Sequence, residues 1–279
     1  MKVAYFGLEG TFAHEAARKA FPHARGYVAG EGVENLLELL YSGKVAGGLV
    51  PVENSSGGMI TDSIDALLAP RFLKSRIRIQ EEITMQIRLR LLANAPPARL
   101  RVVYSHPVPL NFLTPWLQRR LPKAKRVAVA NTAEGALRAA SEPDAAAISN
   151  ESASLLYGLR AARLTLPQQP NQTSFYVLGK RPFSRKPAQR TAFCLGLPNR
   201  PGSLVRILSI FAEREINLTR LTSRPLCKRS GSFRPNEYAF WMDLEGTPES
   251  PRVADALRAA ARAAAFLDII GAYRLRTLA

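Results

Sequence analysis

The chain has 279 residues and a hydrophobic fraction of 47%, enough to fill one large core or two smaller ones, and its composition is neither disordered nor fibrous. Its formal charge of +17 is spread along the chain, without a dense basic run or interleaved aromatics, which argues against nucleic acid and leaves either a generally basic, Arg-rich surface or one that steers a small anion into a cleft. No apolar run is long enough to cross a bilayer, and Cys194 and Cys227 are too few for a disulfide framework.

The opening Met1-Lys2-Val3-Ala4-Tyr5-Phe6-Gly7 enters a strand directly, with no targeting stretch, so a cytoplasmic protein is expected. Lys2 to Phe6 is the first strand, Gly7-Leu8-Glu9-Gly10-Thr11-Phe12 a turn, and Ala13 to Phe21 a helix. Thr11 suits a helix cap whose free N–H groups attract carboxylates. The glycine spacing matches neither a dinucleotide fingerprint nor a phosphate loop. A strand at Gly26 to Ala29 and a helix at Val33 to Tyr41 follow, then an apolar strand at Gly47 to Val50. That strand empties into Pro51-Val52-Glu53-Asn54-Ser55-Ser56-Gly57-Gly58, ahead of a helix from Thr61. Loops past strand ends are the usual ligand sites of such sheets, and the strand–helix rhythm implies a mostly parallel sheet.

Ile77 to Leu92 carries apolar residues at odd positions and reads as one long half-buried strand. A second α/β unit has strands at Leu100 to Tyr104, Arg126 to Ala130 and Ala145 to Ser149. Its loops include Ser105-His106-Pro107 and Asn131-Thr132. Two such units suggest two lobes with a cleft between them, the first about 1–75 plus 165–180 and the second about 76–164. Asn171-Gln172-Thr173-Ser174-Phe175 is expected to cross back and bring its Asn and Thr to the cleft. Residues 181–190 read as a linker. Residues 191–279 follow a βαββαβ order, a ferredoxin-like arrangement with a basic loop at Lys228 to Pro235.

These segments resemble prephenate dehydratase followed by an ACT regulatory domain. The resemblance rests on Gly7-Leu8-Glu9-Gly10-Thr11-Phe12, Val50-Pro51-Val52-Glu53-Asn54-Ser55, Ser105-His106-Pro107, Asn131-Thr132-Ala133-Glu134, Tyr157-Gly158-Leu159 and Asn171-x-Thr173-x-Phe175. In the last unit it rests on Gly202-Ser203-Leu204, Asn217-Leu218-Thr219 and Ser223-Arg224-Pro225. It implies an α/β catalytic domain of 1–180, two-lobed like a periplasmic binding protein, and an ACT domain over 191–279. It also implies synthesis of phenylpyruvate from prephenate with loss of carbon dioxide and water, homodimers or homotetramers, and L-phenylalanine as feedback effector.

Thr173 matches the family threonine proposed to help the hydroxyl leave, Glu53 and Asn54 are expected in its network, and Ser55 is counted with these catalytic residues as a hydroxyl that receives a substrate carboxylate. Glu53 has an equal claim to a structural role, holding Asn54 and Ser55. Thr11, Ser105, Thr132 and Phe175 are expected near the substrate. Gly202, Ser203, Leu204, Asn217, Leu218, Thr222, Ser223, Arg224 and Pro225 are expected to form the effector site. No metal or organic cofactor is called for. The chain departs from the family at Ser174, where an arginine is usual, at Phe112 for a glutamine, at Thr222 for a glutamate and at Ser203 for an alanine. A prephenate decarboxylase that keeps the hydroxyl, and a non-catalytic amino-acid sensor, are the alternatives.

Overall fold

The computed structural model describes residues 1–225 and 238–278. Cys227 and the basic loop expected over 228–235 lie outside them. The first lobe opens with β1 (Lys2–Phe6), α1 (Phe12–Ala20), β2 (Gly26–Gly30), α2 (Val33–Tyr41), β3 (Gly47–Asn54), β4 (Gly58–Met59), α3 (Thr61–Leu68), α4 (Pro70–Lys74) and β5 (Arg78–Gln86). The second contains β6 (Arg90–Ala93), β7 (Val102–Ser105), α5 (Pro107–Arg120), β8 (Lys125–Ala128), α6 (Thr132–Ser141), β9 (Ala145–Ser149), α7 (Glu151–Tyr157) and β10 (Arg160–Ala161). The chain returns to the first lobe in β11 (Gln172–Gly179). It ends in β12 (Arg190–Gly196), α8 (Ser203–Ala212), β13 (Leu218–Pro225), β14 (Tyr238–Glu245), α9 (Pro251–Ala263) and β15 (Phe266–Leu278).

The strand expected over 77–92 is two. β5 pairs antiparallel with β11 in the first sheet, whereas β6 pairs with β9 in the second. The alternation runs through both, but the backbone crosses between lobes at 87–89, and periodicity does not record which sheet a strand joins. Residues 78–86 therefore lie with the first lobe's strands rather than the second's.

The second lobe is a five-stranded sheet ordered β10-β6-β9-β7-β8. The larger sheet has ten strands, ordered β13-β14-β12-β15-β5-β11-β3-β1-β2, with β4 beside β3. It runs unbroken from the C-terminal unit into the first lobe because β15, thirteen residues long, is shared by both. Its first part pairs with β12, and Arg274 to Leu278 run parallel to β5. Close approach here needs a glycine: a Cβ on Gly271 would sit 2.4 Å from the Ile79 carbonyl oxygen. The linker is also anchored, since the Phe183 ring lies over Gly47 and Gly179 and meets Phe21 edge-on at 5.2 Å.

Each face of the first-lobe sheet has its own core. Val50, Val52, Tyr176 and Leu178 pack with α2 and α3, and this cluster continues into Trp241 and Tyr273 of the C-terminal unit. Val3, Tyr5, Leu49, Phe175 and Val177 pack against α1. The α1 helix is amphipathic, capped by Thr11 and ended with Arg18 and Lys19 in its last turn, where cations suit the helix dipole.

Candidate active site

β1 and β3 are parallel and β11 runs against them, so the loop after β1, the end of β3 and the start of β11 share one edge. In the second lobe β7, β8 and β9 are parallel, so Ser105, Thr132 and the turn before α7 share an edge as well. The two edges meet at α7. Tyr157 Oη donates to the Glu9 carbonyl (3.2 Å), and a Cβ on Gly10 would touch Leu156 and Tyr157. Gly10 has φ +82, a conformation that favours glycine.

Asn54 and Thr173 are directly opposite one another across β3 and β11. Asn54 Oδ1 accepts the N–H groups of Ser56 and Gly57, both at 2.9 Å, which fixes the orientation of the amide. Its Nδ2 then donates to Asn171 Oδ1 (2.7 Å) and Thr173 Oγ1 (2.9 Å). Because Thr173 Oγ1 accepts there, its own proton stays free for a further acceptor. Ser55 serves the backbone: its Oγ accepts from Gln172 N–H at 2.9 Å. Three of the four expected catalytic residues are thus brought together, with Asn171 as a further member that lies two residues from Thr173.

Glu53 is not brought to them. It leaves β3 on the opposite face, where Arg220 of β13 donates to its Oε2 at 3.0 and 3.3 Å. Arg220 also donates to Glu82 (2.9 Å), to the Tyr176 hydroxyl (2.6 Å) and to Asp243. Burial alone would lower the Arg220 pKa, but Tyr176, Asp243 and Glu82 raise it above the ordinary arginine value, so it stays charged. Burial raises the Asp243 pKa against the pull of Arg220 and Tyr176.

Thr11 caps α1: its hydroxyl donates to the Leu8 carbonyl (2.8 Å) and accepts from His14 N–H (3.3 Å). Ser105 is fully buried and donates to the Ile148 carbonyl at 2.7 Å, so its hydroxyl proton is used within the sheet. Thr132 is buried at the first position of α6, and Asn131 is the cap, accepting from Glu134 N–H at 2.9 Å. Phe175 is a core residue, 1% exposed, packed on the α1 side. Phe112 lines a small hinge pocket with Val108, Pro109, Ile87 and Asn171, making an apolar wall beside the Asn54 network. Ser149 Oγ and Asn150 Nδ2, at the end of β9, are buried with no hydrogen-bond partner among the described residues.

His14 is buried, accepts Gly10 N–H on Nδ1 (3.1 Å) and stacks on Tyr5 at 4.6 Å. Burial lowers its pKa, so the neutral ring braces the Gly7 to Thr11 turn.

In the C-terminal unit Gly202, with φ +83, precedes Ser203 and Leu204 at the start of α8. Asn217 leads into β13, the outer strand of the large sheet, which holds Leu218, Thr222, Ser223, Arg224 and Pro225. Arg224 forks onto Asp65 of α3 at 2.6 and 2.7 Å, so its guanidinium reaches the first lobe. Neither Arg220 nor Arg224 announces these bonds in the sequence, because their partners are far off along the chain.

A two-lobed α/β body with an amide-held threonine at its cleft, continued into a βαββαβ unit, is the frame of a small-molecule site with an attached ferredoxin-like domain. A family model described as prephenate dehydratase matches residues 3–183, and one described as an ACT domain matches 193–262. The prephenate dehydratase of Amycolatopsis methanolica is 32% identical over 98% of this chain and 88% of its own. The structure of prephenate dehydratase from Arthrobacter aurescens in complex with L-Phe aligns at TM-score 0.83 and 28% identity, over 98% of this chain and 90% of that one. A structure described as GqqA, a novel type of quorum quenching acylase, aligns at TM-score 0.86 and 26% identity, over 99% and 98% of the two chains. This chain belongs to the prephenate dehydratase family.

Proposed function

We propose that the protein converts prephenate to phenylpyruvate, with Thr173 as the group that assists departure of the ring hydroxyl. The observation that carries this is the bond from Asn54 Nδ2 to Thr173 Oγ1, which leaves the threonine proton to be donated elsewhere. As the ring carboxylate leaves as carbon dioxide, its bonding pair enters the ring and the C–O bond breaks. The departing hydroxide takes up a proton from solvent to give water. A threonine hydroxyl is too weak an acid to surrender its proton outright, so its contribution is a hydrogen bond that strengthens as charge builds on the leaving oxygen. Asn54 is an amide and cannot take a proton, so the pair suits donation rather than nucleophilic attack. Helix starts at α1 and α6 favour the substrate carboxylates, and the Phe112 wall suits the ring.

The same reading takes residues 1–180 as the catalytic domain in two lobes, with the ACT domain from 191. L-phenylalanine binds at the α8 start and β13 between copies of a homodimer or homotetramer, in the cytoplasm. Among the described residues no helix is long and apolar enough to cross a membrane.

Purified protein given prephenate at neutral pH is expected to yield phenylpyruvate. A non-aromatic keto acid or unchanged prephenate overturns the reading. Thr173→Val, which keeps the shape and removes the hydroxyl, should lower kcat roughly 10²–10⁴-fold with an unchanged circular dichroism spectrum. Near-normal turnover in that variant removes Thr173 from the reaction.

A further inference from the structure

The motif strand changes face within itself. Val50 and Val52 belong to the core cluster of Tyr176 and Leu178, whereas Leu49 belongs to that of Phe175 and Val177. Strict alternation would carry Asn54 onto the face of Val50 and Val52, and Glu53 onto that of Leu49. The pairing slips instead. Pro51 faces Phe175 and Glu53 faces Ser174, so Val52 has no opposite residue in β11 and the parity inverts beyond it. Asn54 thereby reaches Thr173, and Glu53 reaches the other face.

Arg220 is waiting there. Its side chain is 8% exposed and is fixed by Glu82, Asp243 and Tyr176 independently of Glu53, whose side chain is 46% exposed. Asp243 is itself held by Tyr176 Oη (2.6 Å) and Trp241 Nε1 (2.9 Å). The guanidinium is therefore a rigid anchor, and the carboxylate comes to it. β3 stops one residue later, and beyond Asn54 the chain turns. The inverted end of β3 is thus gripped by the Asn54 and Ser55 bonds on one side and by Arg220 behind.

We propose that Arg220 is a positioning residue for the Asn54–Thr173 pair, acting through Glu53, and that this contact is the joint through which the C-terminal domain sets turnover. The proposal rests on the reading of Thr173 given above. Arg220 lies on β13 between Leu218 and Thr222, the segment read as the effector site, so a ligand that shifts β13 moves the anchor with it.

Glu53→Gln keeps the shape and removes the charge of a half-exposed group, so it should fold. It is expected to lower kcat about tenfold with KM within about twofold, and to speed amide hydrogen exchange at Ser55 and Gln172 about tenfold. Arg220→Met should do the same, with the double variant no worse than Arg220→Met alone, and Arg220→Lys should recover part of the loss. If Arg220→Met does not fold, Glu53→Gln carries the test. L-phenylalanine should bind Glu53→Gln as it binds the parent by calorimetry, yet inhibit it several-fold less. Unchanged kcat and unchanged exchange in Glu53→Gln overturn the proposal, as do additive effects in the double variant. If the parent protein leaves prephenate unchanged, the function reading fails on its own, and exchange at Ser55 and Gln172 still decides whether Arg220 positions this strand end. A parent enzyme that ignores L-phenylalanine overturns the regulatory half.

Discussion

The first lobe meets the C-terminal domain across a continuous sheet, and buried carboxylates on both faces of β5 are met there by arginines. Glu82, on one face, takes Arg220; Glu81, on the other, takes Arg274 and Arg276 of β15 at 3.1 and 3.0 Å. Arg276 also donates to the Ala20 carbonyl at the end of α1 (3.2 Å). The second lobe is joined differently. Two chain crossings link it to the first, and Gln168 ties one to the other by accepting from Leu89 N–H (3.3 Å) and donating to the Leu89 carbonyl (3.0 Å). Facing edges touch where α7 meets the Glu9–Gly10 turn. The lesson is mechanical. The Asn54–Thr173 pair belongs to the half stapled to the regulatory domain, so a message from that domain need not cross the hinge.

The largest expected effect comes from breaking a staple. Glu81 is 3% exposed, and Glu81→Gln leaves two guanidiniums facing a neutral amide. Removing one partner of a buried ion pair typically costs about 3–5 kcal/mol. Urea denaturation should show a lower midpoint and a separate early transition of the C-terminal domain. A single transition at the parent midpoint would show that Glu81 does not join the two parts. Gly271→Ala attacks the same joint through the backbone, since its methyl would lie 2.4 Å from the Ile79 carbonyl oxygen. Overpacking of this kind costs about 1–3 kcal/mol, and the thermal midpoint should fall accordingly. An unchanged midpoint would mean that β15 can part from β5 without loss.

A third probe lies at the turn where the lobes touch. His14 is neutral in the folded protein because burial, reinforced by Arg18 and opposed by Glu9, lowers its pKa below 6.5. As pH falls through 6.5 the unfolded chain takes up the proton first, so this contribution to stability declines until the folded-state pKa is passed. The imidazolium cannot accept Gly10 N–H, so the turn loses its brace. The thermal midpoint should drop between pH 7 and 5, and less steeply in His14→Phe. Equal slopes would assign the acid limb to other groups.

The Asn54–Thr173 pair was legible because both residues sit in short motifs at strand ends, and strand ends are where such sheets bind ligands. Glu53 was open to both a catalytic and a structural reading for a physical reason. Adjacency to Asn54 suggested a shared site, but adjacent strand residues point to opposite faces, and no residue type marks the bulge that decides which face each takes. Arg220 was invisible because its four partners, at 53, 82, 176 and 243, are remote in sequence. The division of 77–92 was invisible because alternation persists through Ile87 and Leu89 while the chain changes sheets.

The smallest effect is expected at the hinge. Gln168→Ala removes both side-chain bonds to Leu89 and one to the Leu166 carbonyl, all at 3.0–3.3 Å. They are exposed or half-exposed, and water replaces them, so the stability loss should be at most about 1 kcal/mol. If the second lobe moves as a unit, loosening the tie should instead change how readily the cleft closes. KM for prephenate should then rise a few-fold, with kcat and inhibition by L-phenylalanine near parent values, since the staples to the C-terminal domain are untouched. A variant that lost inhibition while keeping KM would place the regulatory route through the hinge, and the contrast between the lobes would then reverse.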